Sequence, residues 1–212
     1  MYFPFLAEAP EFPRAALDAL RQPLETGRVE IHRSQVRTTL PARVQLVLAA
    51  NPCPCGNAGS LDAAVECHCS PSVRVRYQQR ISGPLNDRID VRLTLHRVSQ
   101  VLRSAPEYAA PTSAQLQTRV IRARARAAER LRDTSWRVNA EVPGRWLRGP
   151  EQRLPRATTA VLDRALARGG LTLRGYDRVL RVAWSIADLA GHERPERADV
   201  AHALILRNGG PA

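Results

Sequence analysis

Cys53, Cys55, Cys67 and Cys69 are all the cysteines of this 212-residue chain, arranged as C-x-C, eleven residues, then C-x-C. Two closely spaced thiolate pairs joined by a loop of that length can close a tetrahedral four-thiolate site around a zinc ion. The same residues could instead form the two disulfides of a secreted domain, or stay buried as unpaired thiols. The N-terminus has no basic segment followed by a long apolar stretch, as a signal peptide would. No run approaches the ~18 apolar residues of a membrane span. The chain therefore reads as cytoplasmic, without a membrane partner, where clustered thiols are more often metal ligands than cystines. A structural Zn2+ is the expected occupant. His68 lies inside the second pair and could replace a thiol, but a solvent-facing loop position suits it better.

Charge narrows the partners. The formal net charge is +12, and all 32 basic residues are arginine. Such a balance favours a polyanionic partner such as nucleic acid over a basic or neutral one. The complete lack of lysine has a stricter consequence. A phosphate-binding P-loop ends G-K-[ST], its lysine reaching the β- and γ-phosphates, so none lies within these residues.

Periodicity divides the chain into an α/β part over residues 1–104, a linker at 105–112 with Pro106 and Pro111, and an all-helical part over 113–212. In the first part, Ala15, Leu17, Leu20 and Leu24 predict a helix over 11–24, ending near Pro23 and Gly27. Alternation of Val29, Ile31, Val36, Thr38 and Leu40 predicts a β-hairpin over 28–40, with its tip near Arg33-Ser34-Gln35. The near-continuous apolar run 44–50 suits a central parallel strand covered on both faces. The cysteine loop occupies 52–70, a short helix is expected over 72–81, and alternation at Ile89, Val91, Leu93 and Leu95 predicts another strand. The second part should hold helices over 113–132, 158–168, 172–189 (N-cap Thr172, stop at Gly191) and 199–206.

Several segments together resemble the magnesium-chelatase-like AAA+ ATPases of the competence-protein ComM (YifB) type. They are Ala9-Pro10-Glu11-Phe12, Leu20-Arg21-Gln22-Pro23-Leu24-Glu25, Pro41-Ala42-Arg43 and Ala50-Asn51-Pro52-Cys53-Pro54-Cys55-Gly56. Ser82-Gly83-Pro84-Leu85 and Asp87-Arg88-Ile89-Asp90 continue the series. It closes with Arg174-Gly175-Tyr176 and Ala187-Asp188-Leu189-Ala190-Gly191. The similarity spans nearly all of residues 5–206.

The resemblance implies a partial AAA+ core lacking the P-loop, with a four-cysteine zinc loop, followed by a helical lid. It also implies ATP and Mg2+ as cofactors, hexameric rings of neighbouring subunits, and movement on DNA that promotes branch migration. The family's Walker B strand ends Leu-Asp-Glu. Here Phe3-Pro4-Phe5-Leu6-Ala7-Glu8 puts Ala7 in place of the Mg2+-associated aspartate and keeps Glu8 where the water-activating base belongs. Asn51 matches the sensor that addresses water and γ-phosphate, and Arg88 the arginine finger acting on a neighbour's site. Arg174 matches the sensor-2 arginine that reads bound nucleotide. The hairpin corresponds to one that lines the ring's pore, which makes Arg33, Gln35 and Arg37 the DNA contacts. The arginines at 119, 122, 124, 126, 130 and 132 scatter around their helix and suit a solvated surface better.

The chain thus reads as the C-terminal part of such a motor, inactive as an ATPase by itself. A truncated gene product, a decayed gene, or half of a split gene with a P-loop-containing complementing chain would each fit. Two other functions compete: a non-enzymatic zinc-dependent nucleic-acid-binding module, and a magnesium-chelatase motor subunit. The cysteine loop argues against the latter.

Overall fold

Pro23 decides how the first helices form. A computed structural model of the chain describes residues 3–33, 36–60, 65–95 and 110–209, with the side chains of Arg33 and Val36 outside that description. Over 11–24, where one helix is expected, there are two: α1 (Arg14–Ala19) and α2 (Arg21–Thr26). Pro23 has no N–H to give to Ala19, and its ring would collide with that carbonyl, so the helix breaks between them. Gly27 stops α2 in the left-handed conformation (φ 67°), its N–H donating to Pro23 O at 2.9 Å.

Ahead of them, β1 (Phe5–Leu6) is followed by a 3₁₀ turn (Ala9–Glu11). Behind them come β2 (Arg28–Arg33) and β3 (Val36–Pro41), an antiparallel hairpin whose register ends at Arg33↔Val36. Its tip residues Ser34 and Gln35 lie outside the described residues. β4 (Val47–Leu48) pairs in parallel with β1, Phe5 opposite Val47 and Leu6 opposite Leu48. Of the apolar run 44–50 only Val47–Leu48 forms the parallel strand, and it is not covered on both faces: Phe5 is 66% and Val47 44% exposed. Among the described residues β1 is the only strand beside β4. Next come α3 (Pro71–Gln78), capped by Ser70, and α4 (Gly83–Asn86), capped by Ser82.

The chain clusters into two compact units, one running to Ile89 and the other holding Asp90–Leu95 together with the described residues from 110 on. The alternating segment 89–95 is not the expected strand; only Thr94 makes an isolated bridge. Its polar groups go elsewhere: Arg92 N–H donates to Leu206 O at 2.7 Å and Thr94 Oγ1 to Gly209 O at 3.2 Å. Helix C-termini leave carbonyls without intrahelical partners, and this segment supplies donors to them.

The second unit holds α5 (Ser113–Arg130), α6 (Gly144–Leu147), α7 (Arg156–Ala167), α8 (Leu173–Ala190) and α9 (Arg197–Asn208). α5 opens with a full capping box between Thr112 and Gln115. α8 opens with Thr172 Oγ1 accepting Gly175 N–H at 3.0 Å and closes on Gly191 at φ 89°. Tyr176, Val179, Leu180, Ala183, Trp184 and Ala187 fall at helical spacing on one face of α8, all buried. Leu131, Leu162 and Val200 pack on the same core from the end of α5, from α7 and from α9. Residues 133–155, which carry no clear periodicity, contribute Val142, Leu147 and Leu154 to this core. There Trp136 and Trp146 meet edge to face, centroids 5.4 Å apart.

Candidate functional site

Two sites stand in the first unit, a thiol cluster and a polar edge beside it. The cysteine loop is built by tight turns. Gly56 N–H donates to Cys53 O at 2.9 Å, and Gly56 takes φ 77°, a conformation that costs glycine little. This brings Cys53 Sγ to 3.3 Å from Cys55 Sγ and 3.7 Å from Cys67 Sγ, with Cys55 and Cys67 3.6 Å apart. All four sulfurs lie within 4.8 Å of one another, and none is in a disulfide. A tetrahedron with Zn–S bonds of ~2.3 Å has sulfurs about 3.8 Å apart, so the donor set and spacing fit Zn2+. His68 is exposed and outside the cluster.

Backbone amides favour the thiolate forms: Ala58 N–H donates to Cys53 Sγ at 3.4 Å, and the Asn57, Cys69 and Cys55 amides pull Cys55, Cys67 and Cys69 downward. The Asn57 amide, helped by the Cys53 thiol, brings Cys55 down to about 6. At Cys67 the Cys69 amide pulls downward, but burial and the Cys55 and Cys53 sulfurs outweigh it and push the thiol up to about 11. Cys69 is raised as well: the Cys55 amide pulls down, while the Cys55 sulfur and burial prevail. Neighbouring thiolates oppose one another's ionisation. A cation removes that opposition, which is the chemistry of a thiolate metal site.

The polar edge lies at the carboxyl ends of β1 and β4. Ala49 N–H donates to Leu6 O and Ala9 N–H to Ala49 O, both at 2.9 Å. Glu8 and Asn51 therefore leave adjacent parallel strands at the same end, and both are exposed. Glu8 is the one non-glycine residue with positive φ (54°) among the described residues. Such conformations persist where surrounding structure enforces them; here the 3₁₀ turn does, with Glu11 N–H donating to Glu8 O at 2.8 Å. The turn is anchored by Arg80, whose Nη1 donates to Glu11 Oε2 at 2.9 Å and Pro10 O at 3.1 Å. Burial, with the Glu11 carboxylate beside it, raises the Tyr77 phenol.

Arg88, matched above to the arginine finger, is held within its own unit. Its guanidinium forms an ion pair with Glu25 and donates to Pro84 O at 2.7 Å, leaving the side chain 10% exposed. The pair spans 63 positions of sequence, which no local pattern could reveal. Asp90 belongs to the second unit and accepts from Arg178 Nη1 at 2.5 Å. Arg174 is the second residue of α8 and exposed.

On the hairpin, Arg37 is exposed and sits directly opposite His32. His32 lies 3.5 Å from Glu30 and is a member of the same face that sequence reading passed over. Gln35 and the side chain of Arg33 are outside the described residues.

The magnesium chelatase, subunit ChlI, family matches residues 3–102, and the magnesium chelatase, subunit ChlI C-terminal, family matches 110–207. Competence protein ComM of Haemophilus influenzae is 36% identical over 203 residues, and YifB of Escherichia coli 37% over 208. The chain belongs to the magnesium-chelatase-like family of ComM and YifB. An uncharacterised Mycobacterium tuberculosis protein is 45% identical over 206 residues. These alignments cover 96–97% of the present chain but only 38–40% of the relatives, so the chain spans about 40% of their length. No helix among the described residues is long and apolar enough to cross a membrane.

Proposed function

We propose that this chain forms part of a ComM-type AAA+ motor acting on DNA, and that its four-cysteine loop holds a structural zinc ion. The observation that carries the reading is the convergence of Glu8 and Asn51 at the carboxyl ends of two parallel strands. Ligands of open α/β sheets bind at that end. A carboxylate there can accept a proton from water, and an amide can orient that water against a phosphate. ATP and Mg2+ are the cofactors of this chemistry. With no lysine in the chain and Ala7 where an aspartate would hold Mg2+, the phosphate cradle has to come from another polypeptide segment.

Arg88 is the residue that would reach a neighbouring subunit's phosphate, exchanging Glu25 for it. Arg174, at the first turn of a lid helix, would read nucleotide, since helix N-termini and arginine both favour anions. The hairpin arginines Arg33 and Arg37, with Gln35, would touch the DNA backbone in a ring of six.

The test mixes this chain with a separately expressed P-loop-bearing segment of a ComM-type relative. The chain alone is expected to show no ATP hydrolysis above background, and the mixture to show it. Glu8→Gln should abolish that activity, and Arg88→Ala should lower it by ~10³-fold or more. Association of the two segments without any turnover would overturn the reading. DNA binding should survive Arg88→Ala and fall steeply with salt.

A further inference from the structure

The two turns that carry Asn51 and Glu8 are held by one continuous piece of chain, the cysteine loop and the helix that follows it. Upstream of Asn51, β4 is pinned to β1 as far as Ala49, whose N–H and carbonyl both bond across the pair at 2.9 Å. Downstream, Cys53 is fully buried and opens the thiol cluster, its Sγ accepting Ala58 N–H at 3.4 Å. Ala50, Asn51 and Pro52 are all that lies between these anchors. Pro52 has a fixed φ and restricts the residue before it to extended conformations, and its carbonyl accepts Gln78 Nε2 at 3.2 Å.

The Asn51 side chain also faces the cysteine loop near Gly56. A Cβ on Gly56 would stand 3.9 Å from Asn51 Cγ and 4.0 Å from its Oδ1. Asn51 is exposed. α3 begins directly after Cys69, with Ser70 as its cap. Just past its last turn, Arg80 grips the 3₁₀ turn behind Glu8 through Pro10 O and Glu11. The loop thus reaches Asn51 directly and Glu8 through α3.

We infer that the four-cysteine loop is a positioning device for the Glu8–Asn51 edge. A cation bound by the four thiolates closes residues 53–69 and so sets where the Asn51 amide stands. By linkage, a ligand held at that edge strengthens the grip on the cation. The inference rests on the zinc reading proposed above. Gly56 is a positioning residue in this scheme, because its left-handed conformation turns the loop beside Asn51.

Hydrogen exchange on the full chain tests this, with zinc bound and after its removal by EDTA, alongside a zinc-loaded Gly56→Ala variant. Removal is expected to speed exchange at Ala49–Asn51 and in the 3₁₀ turn by ~10-fold or more. The β2–β3 hairpin and the second unit should be unchanged. Gly56→Ala should keep one zinc per chain and speed exchange at Ala49–Asn51. If one zinc binds and its loss leaves Ala49–Asn51 unchanged, the positioning role is overturned while the zinc site stands. If the wild-type chain takes up no zinc, the zinc reading fails and the inference falls with it. Equal acceleration throughout the first unit would mean that the metal holds the whole unit, which also overturns the inference.

Discussion

Arg130 at the end of α5 donates to both carboxylate oxygens of Asp188 on α8, at 2.6 and 2.8 Å, with its guanidinium 4.2 Å from the centre of the Trp184 ring. Asp188 is 2% exposed and accepts a further bond from Asn139 Nδ2 at 2.9 Å, while Arg126 donates to its backbone carbonyl at 2.7 Å. A buried carboxylate is tolerable only when paired and fully hydrogen-bonded. This network locks the first helix of the second unit onto its central one.

Removing one partner strands the other. Arg130→Ala should destabilise the second unit by about 3–5 kcal/mol, the usual cost of an uncompensated buried charge. Arg130→Lys should recover only part of this, because an ammonium cannot reproduce the planar fork. All three tryptophans, Trp136, Trp146 and Trp184, lie in this unit. Tryptophan fluorescence during urea unfolding therefore reads its stability directly.

Metal content is the simplest check on the cysteine loop. One zinc per chain is expected, lost in Cys67→Ser. At pH 7 the Cys67 and Cys69 thiols, both raised, are protonated and must release their protons as zinc binds. Zinc affinity should therefore weaken as pH falls, and calorimetry in buffers of different ionisation enthalpy should detect the released protons.

His192 couples the second unit to pH. Its Nδ1 stands 2.9 Å from Asp199 Oδ2, and the hydrogen bond to that carboxylate raises its pKa above 6.5. A folded-state pKa above the unfolded one contributes stability that is fully present below pH 6.5. That stability is lost as pH rises through the folded value. The unfolding midpoint should accordingly drop between pH 6 and pH 8. His192→Gln should flatten this dependence.

Gly144 opens α6 under the Asp177 carboxylate: a Cβ there would stand 1.7 Å from Asp177 Oδ2. Asp177 Oδ1 in turn accepts from Arg148 Nε at 2.8 Å. Gly144→Ala should push the carboxylate away and loosen that pair, costing roughly 1–2 kcal/mol. Thermal unfolding of the variant measures the loss; an unchanged midpoint would mean that Asp177 finds an equally good position.

Much of this protein is legible in local sequence. The four cysteines announce their cluster because short spacing leaves the sulfurs few other places to go. Thr172 and Gly191 mark the ends of α8, and alternation marks the hairpin, because capping and periodicity act within a few residues. Pro23 breaks its helix by the same local sterics, although the apolar pattern runs straight through it. Tertiary structure alone decided that Arg88 pairs with Glu25, that Arg130 lies between Asp188 and Trp184, and that Arg92 and Thr94 bond to the end of α9. It also brought Asn51 near Gly56 and set Glu8 in a left-handed turn at the same end of the strand pair. These outcomes depend on which donors and acceptors meet after distant segments pack. An alternating or charged segment specifies only what it needs, a covering face or a counter-charge, and the fold supplies the partner.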